Sequence, residues 1–446
     1  MMEPAKHVLS LVADESAVSS SLPQPVAASG AQAPETASPS HAASASPGDA
    51  APPVKRAYPP PVDMPTQTAV DGIRFDFNDG CRVSIAKSDP PMRVRLRDLD
   101  TGNILFESTL VEGRVNSSKR YYVRFRIEVL QRDEIIFTHD YSAAGREVLI
   151  QFPVGTLGDT MGWFPYAVRF QEKHGCKLTC LMGEKLIPLF RDAYPHIAFV
   201  TAEEAKLDTF YATYSMGLFF DDKDGLHQPC DFRQVGLHRT AGYILGVDPT
   251  EFRPQVTIAD DSRPIAEPYV CIAVQSSTQC KHWNNPMGWH EIIAFLKDAG
   301  YRVVCIDDKR VHGQGLLWNH IPHGAEDATG KPLPECLRYL KHADFFIGLS
   351  SGLSWLAWAA GTPVVMISGF THPTTEFDTP YRIINYHACN SCWNDVRHRF
   401  DHHDFLWCPR HKDTPRQFEC SRLITAEHVM RTIEKIPRFV EQKMGS

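Results

Sequence analysis

Two hydrophobic rhythms divide the chain. Between residues 66 and 147 apolar and polar positions alternate, as in GIRFDFNDGCRVSIA, MRVRLRDLDTGNILFES and RYYVRFRIEVLQRDEIIFTHDYS. Side chains two apart stand on the same face of a strand, so alternation predicts strands with one buried face. The Asn-Asp-Gly and Asp-Thr-Gly stretches between the runs are hairpin signals. Residues 66–147 therefore read as a small antiparallel β-domain. A free edge here suits self-assembly or docking of a protein substrate, and a purely structural addition fits the same pattern.

From residue 148 the rhythm becomes strand, loop, helix. VLIQFPV reads as a short buried strand, GTLGDTMGW as a loop, and FPYAVRFQEKHG as a helix ending at Gly175. CKLTCLM, IAFVTA and TFYATY are further strands, and VGLHRTAGYILGVDP is a helix closing a first Rossmann-like lobe over 148–254. Pro254 to Pro268 reads as the connector. A second such lobe over 255–446 holds YVCIAVQ, RVVCIDD, ADFFIGL, PVVMIS and YRIINY. These are apolar throughout, as parallel strands covered on both faces must be. GWHEIIAFLKDAG and PECLRYLKHA are helices between them, and TAEHVMRTIEKIPRFV is a last single helix. The fold class is α/β, with two Rossmann-like lobes and a cleft between them.

Composition adds an arm and removes some functions. Residues 1–65 are rich in Ala, Ser and Pro and bury too little apolar surface to offset the entropy of ordering, so they read as a disordered arm. The net charge of −7 gives no electrostatic reason to bind nucleic acid or an anionic membrane. The longest apolar run, Leu353 to Ile367, is broken by Gly361, Thr362 and Pro363, so no membrane span is expected. The apolar stretch Val8 to Ala13 runs straight into Asp14 and Glu15, which does not suit a secretory signal; a cytoplasmic location is expected.

Four segments carry candidate chemistry. Asp159 is the one ionisable side chain of the loop GTLGDTMGWFPY at 155–166, which sits between a strand and a helix. A carboxylate there either accepts the proton of an attacking hydroxyl or caps the helix, and spacing leaves both open. In QSSTQCKHWNNPMGW at 275–289, Ser276, Ser277, Thr278 and Lys281 form an anion site, or Lys281 is simply a surface lysine. In GLSSGLSWLAWAAGTPVVMISG at 348–369, a strand runs through a Ser-Ser-Gly turn into a helix. The free N–H groups there suit a pyrophosphate, and an ordinary strand-to-helix turn reads the same. Finally, Cys389-x2-Cys392-x15-Cys408-x11-Cys420 has the spacing of a four-thiolate metal knuckle at 389–420. Soft tetrahedral sulfur admits iron or zinc, and four protein ligands leave no open position, so the metal is structural. The neighbouring His398, His402, His403 and His411 read as polar loop surface.

These segments together resemble a known family. CKHWNNPMGW and GLSSGLSWLAWAAGTPVVMISG are similar to the ADP-heptose transferases of the lipopolysaccharide core, and Leu157-Gly158-Asp159 matches the short Gly-Asp loop of their first lobe. With the β-domain and the four cysteines, residues 70–440 resemble the bacterial autotransporter heptosyltransferases, which are glycosyltransferase family 9-like. The resemblance implies a GT-B fold, ADP-heptose as donor on the second lobe, and serine hydroxyls of an autotransporter adhesin as acceptor. It implies Asp159 as catalytic base. Inverting transfer is expected, and because a helix dipole and Lys281 can do the work of a divalent cation, no catalytic metal is expected. Ser276, Ser277, Lys281, Ser351, Gly352 and Leu353 match donor-site positions, and Thr278, Trp283 and Ser350 complete the expected donor-binding set. It also implies one iron on Cys389, Cys392, Cys408 and Cys420, and a dodecameric ring. Tyr211, Tyr214 and Asp221 are expected to face the acceptor. Ser350 stands where core heptosyltransferases have an aspartate and Trp355 where they have a histidine, which favours the protein-modifying branch. A lipopolysaccharide-core heptosyltransferase and a non-catalytic metal-ribbon module are the competing readings.

Overall fold

The computed structural model describes residues 58–153 and 156–445, so most of the Ala/Ser/Pro-rich arm and residues 154 and 155 of the first loop lie outside the described residues. The packed chain begins earlier than composition predicts. The Tyr58 hydroxyl donates to the Met216 carbonyl, Arg82 Nη1 donates to the Val62 carbonyl at 2.8 Å, and Arg74 Nε donates to the Pro65 carbonyl at 2.9 Å. Arg82 also grips the wholly buried carboxylate of Asp76 in a two-pronged contact, at 2.7 and 2.6 Å. A planar guanidinium meets both carboxylate oxygens at once, so the pair fixes direction as well as contact.

The strands β1 (Gln67–Thr68), β2 (Arg74–Asn78), β3 (Arg82–Ile85), β4 (Met92–Asp98), β5 (Ile104–Leu110), β6 (Gly113–Asn116), β7 (Phe125–Gln131) and β8 (Glu134–Asp140) follow the alternating pattern. They do not all form one domain. Strands β5-β4-β7-β8 make a four-stranded antiparallel sheet whose inner face carries the fully buried Val94, Leu96, Ile127 and Val129. Strands β2, β3 and β6 instead extend the sheet of the first lobe.

That lobe contains β9 (Glu147–Gln151), α1 (Leu157–His174), β10 (Lys177–Leu181), β11 (Ala198–Val200), β12 (Ala212–Ser215), α2 (Phe232–Val235) and α3 (Arg239–Leu245). Its sheet order is β11-β10-β9-β12-β2-β3-β6, with β2 parallel to β12. The second lobe contains β13 (Tyr269–Ile272), α4 (Gly288–Asp298), β14 (Arg302–Cys305), the hairpin β15 (Val311–Gln314) and β16 (Leu317–His320), β17 (Glu326–Asp327), α5 (Leu333–His342), β18 (Phe346–Leu349), α6 (Gly352–Ala360), β19 (Val364–Ile367), β20 (Arg382–Ile383), α7 (Glu419–Arg422), α8 (Ala426–Ile433) and α9 (Pro437–Gly445). Its main sheet is wholly parallel in the order β17-β14-β13-β18-β19-β20. This is the doubly wound arrangement of Rossmann-like domains, with the strand order reversing between β13 and β18. In the first lobe the reversal falls between β9 and β12.

Two helix boundaries differ from expectation. Helix α1 starts at Leu157 rather than Phe164, although Gly158, Gly162 and Pro165 oppose a helix there. The reason is tertiary: a Cβ on Gly158 would lie 2.9 Å from Trp355 Cδ1, and one on Gly162 would lie 3.1 Å from Trp355 Cζ3. The glycines let α1 approach α6 of the other lobe. The last helix is two, because Pro437 opens α9 after α8 has ended. The end of α1 at Gly175 follows the sequence, with that residue left-handed at φ 60°.

Candidate active site

Both lobes present their reversal points, where neighbouring strand connections diverge and leave a crevice, to one shared cleft. The cleft has a volume of about 540 Å³. It is walled on one side by Thr156, Leu157, Gly158 and Asp159 after β9, and by Leu218 after β12. The second lobe contributes Gln275, Ser276, Ser277 and Lys281 after β13, and Ser350, Ser351, Gly352 and Leu353 after β18. Segments as distant in sequence as Thr156 and Leu353 thus meet because two sheets place their carboxyl ends face to face.

Asp159 lies in the first turn of α1, and Thr156 holds the N-cap position. The capping alternative is therefore overturned: the carboxylate faces the cleft wall from inside the helix. Burial pushes its pKa up to about 6, against the opposing pull of the Lys281 charge and a hydrogen bond from Thr156. Loss of hydration disfavours the ionised form, while the lysine favours it. A carboxyl poised there is ionised at neutral pH and remains basic enough to take a proton.

Lys281 is not a loose surface lysine. Its ammonium lies 5.6 Å from the ring centre of Phe370, 5.7 Å from Trp393 and 5.8 Å from Phe400. From the same lobe, α6 opens at Gly352 behind the turn Ser350-Ser351. Gly352 has a second task, since a Cβ there would lie 3.0 Å from Leu157 Cβ. Close packing of the lobes needs this glycine whatever ligand approaches the turn. The Ser350 hydroxyl donates to Glu376, a buried carboxylate whose other oxygen accepts from Arg382 Nη1 at 2.8 Å. A carboxylate thus stands just behind the position where Ser350 departs from the aspartate pattern. Asp307, at the carboxyl end of β14, accepts the backbone N–H groups of Val274 and Gln275 at 2.8 and 3.2 Å, which clasps the start of the donor-side loop.

Some expected residues go elsewhere. Thr278 is buried with its hydroxyl 3.1 Å from Cys280 Sγ, and Trp283 is buried with Nε1 donating to the Ile424 carbonyl at 2.9 Å. Neither lines the cleft. Tyr211 and Tyr214 are core residues of the first lobe, and Tyr214 donates to the Tyr141 hydroxyl at 3.0 Å. Asp221 pairs with Arg399 at 2.6 Å. Glu376, Phe370, Trp393 and His402 line the cleft and were not anticipated. A signal for the aromatic wall was present, since Trp393, Phe400 and Trp407 recur at every seventh position.

The four cysteines of the C-terminal segment lie near enough to feel one another's charge. The Cys392 thiol is pushed up to about 12 by burial first, and then by the fields of Cys389 and Cys408. Cys420 is raised by burial and by Cys392, Cys408, Cys280 and Cys389. Among the described residues the donor atoms close enough to share one ion form a mixed group: those of Cys389, His411 and Glu419 lie within 4.8 Å of one another. His411 is thus half-buried beside the Cys389 thiol rather than loop surface. Nor is the segment purely polar: Trp393, Phe400, Trp407 and Phe418 pack with Phe370 and Phe232 into a separate aromatic core.

The chain matches known proteins over nearly all of its packed part. Residues 70–133 match the family model described as glycosyltransferase TibC, N-terminal domain, and residues 240–395 match glycosyltransferase family 9 (heptosyltransferase). It is 54% identical over 379 residues to the autotransporter heptosyltransferase BAHTCr of Citrobacter rodentium, covering 84% of this chain and 92% of that protein. It is 53% identical over 386 residues to TibC of Escherichia coli O78:H11, covering 86% and 94% respectively. The crystal structure of dodecameric, iron-containing TibC with ADP-D-beta-D-heptose superposes with a TM-score of 0.82, covering 85% of this chain and 98% of that one. A protein of Burkholderia thailandensis described as the inactive autotransporter heptosyltransferase BimC is 50% identical, covering 86% of this chain and 90% of its own length. With half or more of its positions shared along nearly the full length of each of these proteins, the chain belongs to the autotransporter heptosyltransferases.

Proposed function

We propose that this protein transfers heptose from ADP-heptose to serine hydroxyls of an autotransporter adhesin. The observation that carries the reading is the placement of Asp159 across one cleft from Lys281 and the N-terminus of α6. In the reaction the serine oxygen attacks the anomeric carbon as the bond from that carbon to the diphosphate oxygen breaks. The serine proton passes to the Asp159 carboxylate. ADP departs with the bonding electrons, and its growing charge is met by the Lys281 ammonium and the free N–H groups of α6. Attack opposite the leaving group inverts the anomeric centre. Ser276, Ser277, Ser351, Gly352 and Leu353 are proposed to hold the donor, with Ser350 oriented by Glu376. A lysine and a helix terminus supply the charge that a divalent cation supplies elsewhere, so the transfer step takes no catalytic metal.

Cys389, Cys392, Cys408 and Cys420 are proposed to hold one structural iron, with zinc as the alternative. Four sulfurs suit either ion. The competing group is less available, because both oxygens of Glu419 are engaged by Arg416, at 2.6 and 2.8 Å, and one also accepts the Cys389 N–H at 3.1 Å. A dodecameric ring and a cytoplasmic location complete the reading. No helix among the described residues is long and apolar enough to cross a membrane, which is compatible with it.

Family membership does not by itself confer activity, since one relative is described as inactive. The test is mass spectrometry of an autotransporter passenger incubated with this protein and ADP-heptose. Increments of one heptose on serine residues support the proposal. Transfer to a lipid A-linked core acceptor instead would move the protein to the lipopolysaccharide reading. Tight ADP-heptose binding with no transfer to either would make it a binding protein.

A further inference from the structure

The cysteine-rich segment does more than fold on itself. Trp393 follows Cys392 directly, and the backbone around it is tied to the second lobe: Ser391 N–H donates to the Gly369 carbonyl at 2.8 Å and Trp393 N–H to the Phe370 carbonyl at 3.1 Å. Asn394 Nδ2 reaches the first lobe, donating to the Arg233 carbonyl at 2.8 Å. These contacts set the indole against Phe370 at 5.5 Å and Phe400 at 5.0 Å, while Phe370 and Phe400 are themselves 5.5 Å apart. The three rings form a nearly equilateral triangle. The Lys281 ammonium sits over it, at almost the same distance from each ring.

A flexible lysine side chain with four rotatable bonds is thereby held at one place in the cleft. Ring faces carry negative charge density and attract the ammonium, yet they leave its N–H bonds free for an anion. A carboxylate partner would instead neutralise the charge and compete with a phosphate. Trp393 also lines the cleft, is 5% exposed, and its indole N–H has no acceptor among the described residues. Buried N–H groups are almost always paired, so an unpaired one at a cleft wall points to a ligand oxygen.

We propose that Trp393 is a positioning residue for the donor: its ring, with those of Phe370 and Phe400, holds Lys281 toward the diphosphate, and its indole N–H meets a donor oxygen. The inference rests on the functional reading above and adds to it that the cysteine segment forms part of the donor site. The chain of contact runs from the knuckle through Trp393 to Lys281.

The experiment compares Trp393→Leu, Trp393→Phe and Phe400→Leu in the full-length protein. ADP affinity is read by calorimetry, donor and acceptor KM from transfer assays, and folding from thermal melts. Trp393→Leu fills much of the space but has no ring, so ADP affinity falls about tenfold and the donor KM rises with it. The acceptor KM stays unchanged, which general loosening of the fold would not produce. Trp393→Phe restores the ring without the N–H and recovers most of the affinity. Phe400 does not line the cleft, so Phe400→Leu can weaken ADP binding only through the cage; an effect of about threefold is expected, and this variant carries the test if Trp393→Leu does not fold. Unchanged ADP affinity in the leucine variants overturns the proposal, as do equal losses in Trp393→Leu and Trp393→Phe. If the unaltered protein binds no ADP, the functional reading fails and this inference with it. If the unaltered protein binds ADP and transfers heptose while the variants match it, only the inference fails.

Discussion

The two walls of the cleft are built on different principles. The first-lobe wall offers one charged group, Asp159, on a helix locked by backbone packing of Gly158 and Gly162 against Trp355. The second-lobe wall offers Lys281 on a short loop, placed by rings from a separate segment. A carboxylate on a helix is rigid by inheritance from the helix, whereas a long cationic side chain needs external walls to lose the same freedom. That difference explains why a cysteine-rich segment far along the chain adjoins the site at all.

The sharpest way to break the comparison is at Asp159. Asp159→Asn should lower the transfer rate by about 10²–10⁴-fold, since general-base assistance is lost, while ADP affinity stays near normal. Calorimetry and a transfer assay on the same preparation check both. A variant that transfers at the normal rate would reduce the first wall to scaffolding. The same carboxyl also sets a pH limit: with its pKa raised to about 6, activity should fall as pH drops through that value and the base becomes protonated.

A smaller effect is expected at the knuckle. Cys392→Ser should reduce bound metal from about one ion per chain and lower the melting temperature, because metal binding supplies folding energy to the segment. The aromatic core around Trp393 limits the damage, so partial rather than complete unfolding is expected. Elemental analysis and thermal melts check it; full metal content would remove Cys392 from the site. If the second wall depends on this segment, ADP affinity should fall in the same variant.

Next comes the seam between the lobes. Gly158→Ala would force a methyl to within 2.9 Å of Trp355 Cδ1, which should destabilise the protein by about 1–3 kcal/mol. Denaturant titration measures this, and Trp355→Leu should relieve part of it.

The smallest effect has the opposite sign. A carboxyl whose folded pKa lies above its unfolded value contributes stability that is full below the unfolded pKa and is lost as pH rises through the folded one. Asp159 therefore weakens the fold above a pH of about 6. Asp159→Asn should be the more stable protein at pH 8, by about 1 kcal/mol after discounting for the water of the cleft, and should lose that advantage near pH 4. Melts at the two pH values decide it.

What could be read in the sequence was what neighbouring residues determine. Alternation located the strands of the β-domain, apolar runs located β13, β14, β18 and β19, and Gly175 ended its helix. The turns after β9, β13 and β18 stood out because chemistry-bearing residues follow buried strands, and that placed Asp159, Ser276, Ser277, Lys281 and Ser350 to Leu353 at the cleft. The same reasoning misassigned Thr278 and Trp283, which belong to those stretches but turn into the core. Periodicity tells where a strand ends, not which way each residue of the following loop points.

Only the tertiary structure decided the rest. The alternating strands divide between two sheets because β2 pairs with β12, a partner 130 or more residues away. Helix α1 extends back through two glycines because another lobe packs against them, and Glu376 supports Ser350 because β20 supplies Arg382. Trp393 cages Lys281 although 111 positions lie between them. Local pattern carries the energetics of elements, which depend on residues a few positions apart. Contacts across the fold depend on how the sheets are ordered, and no short stretch of sequence encodes that order.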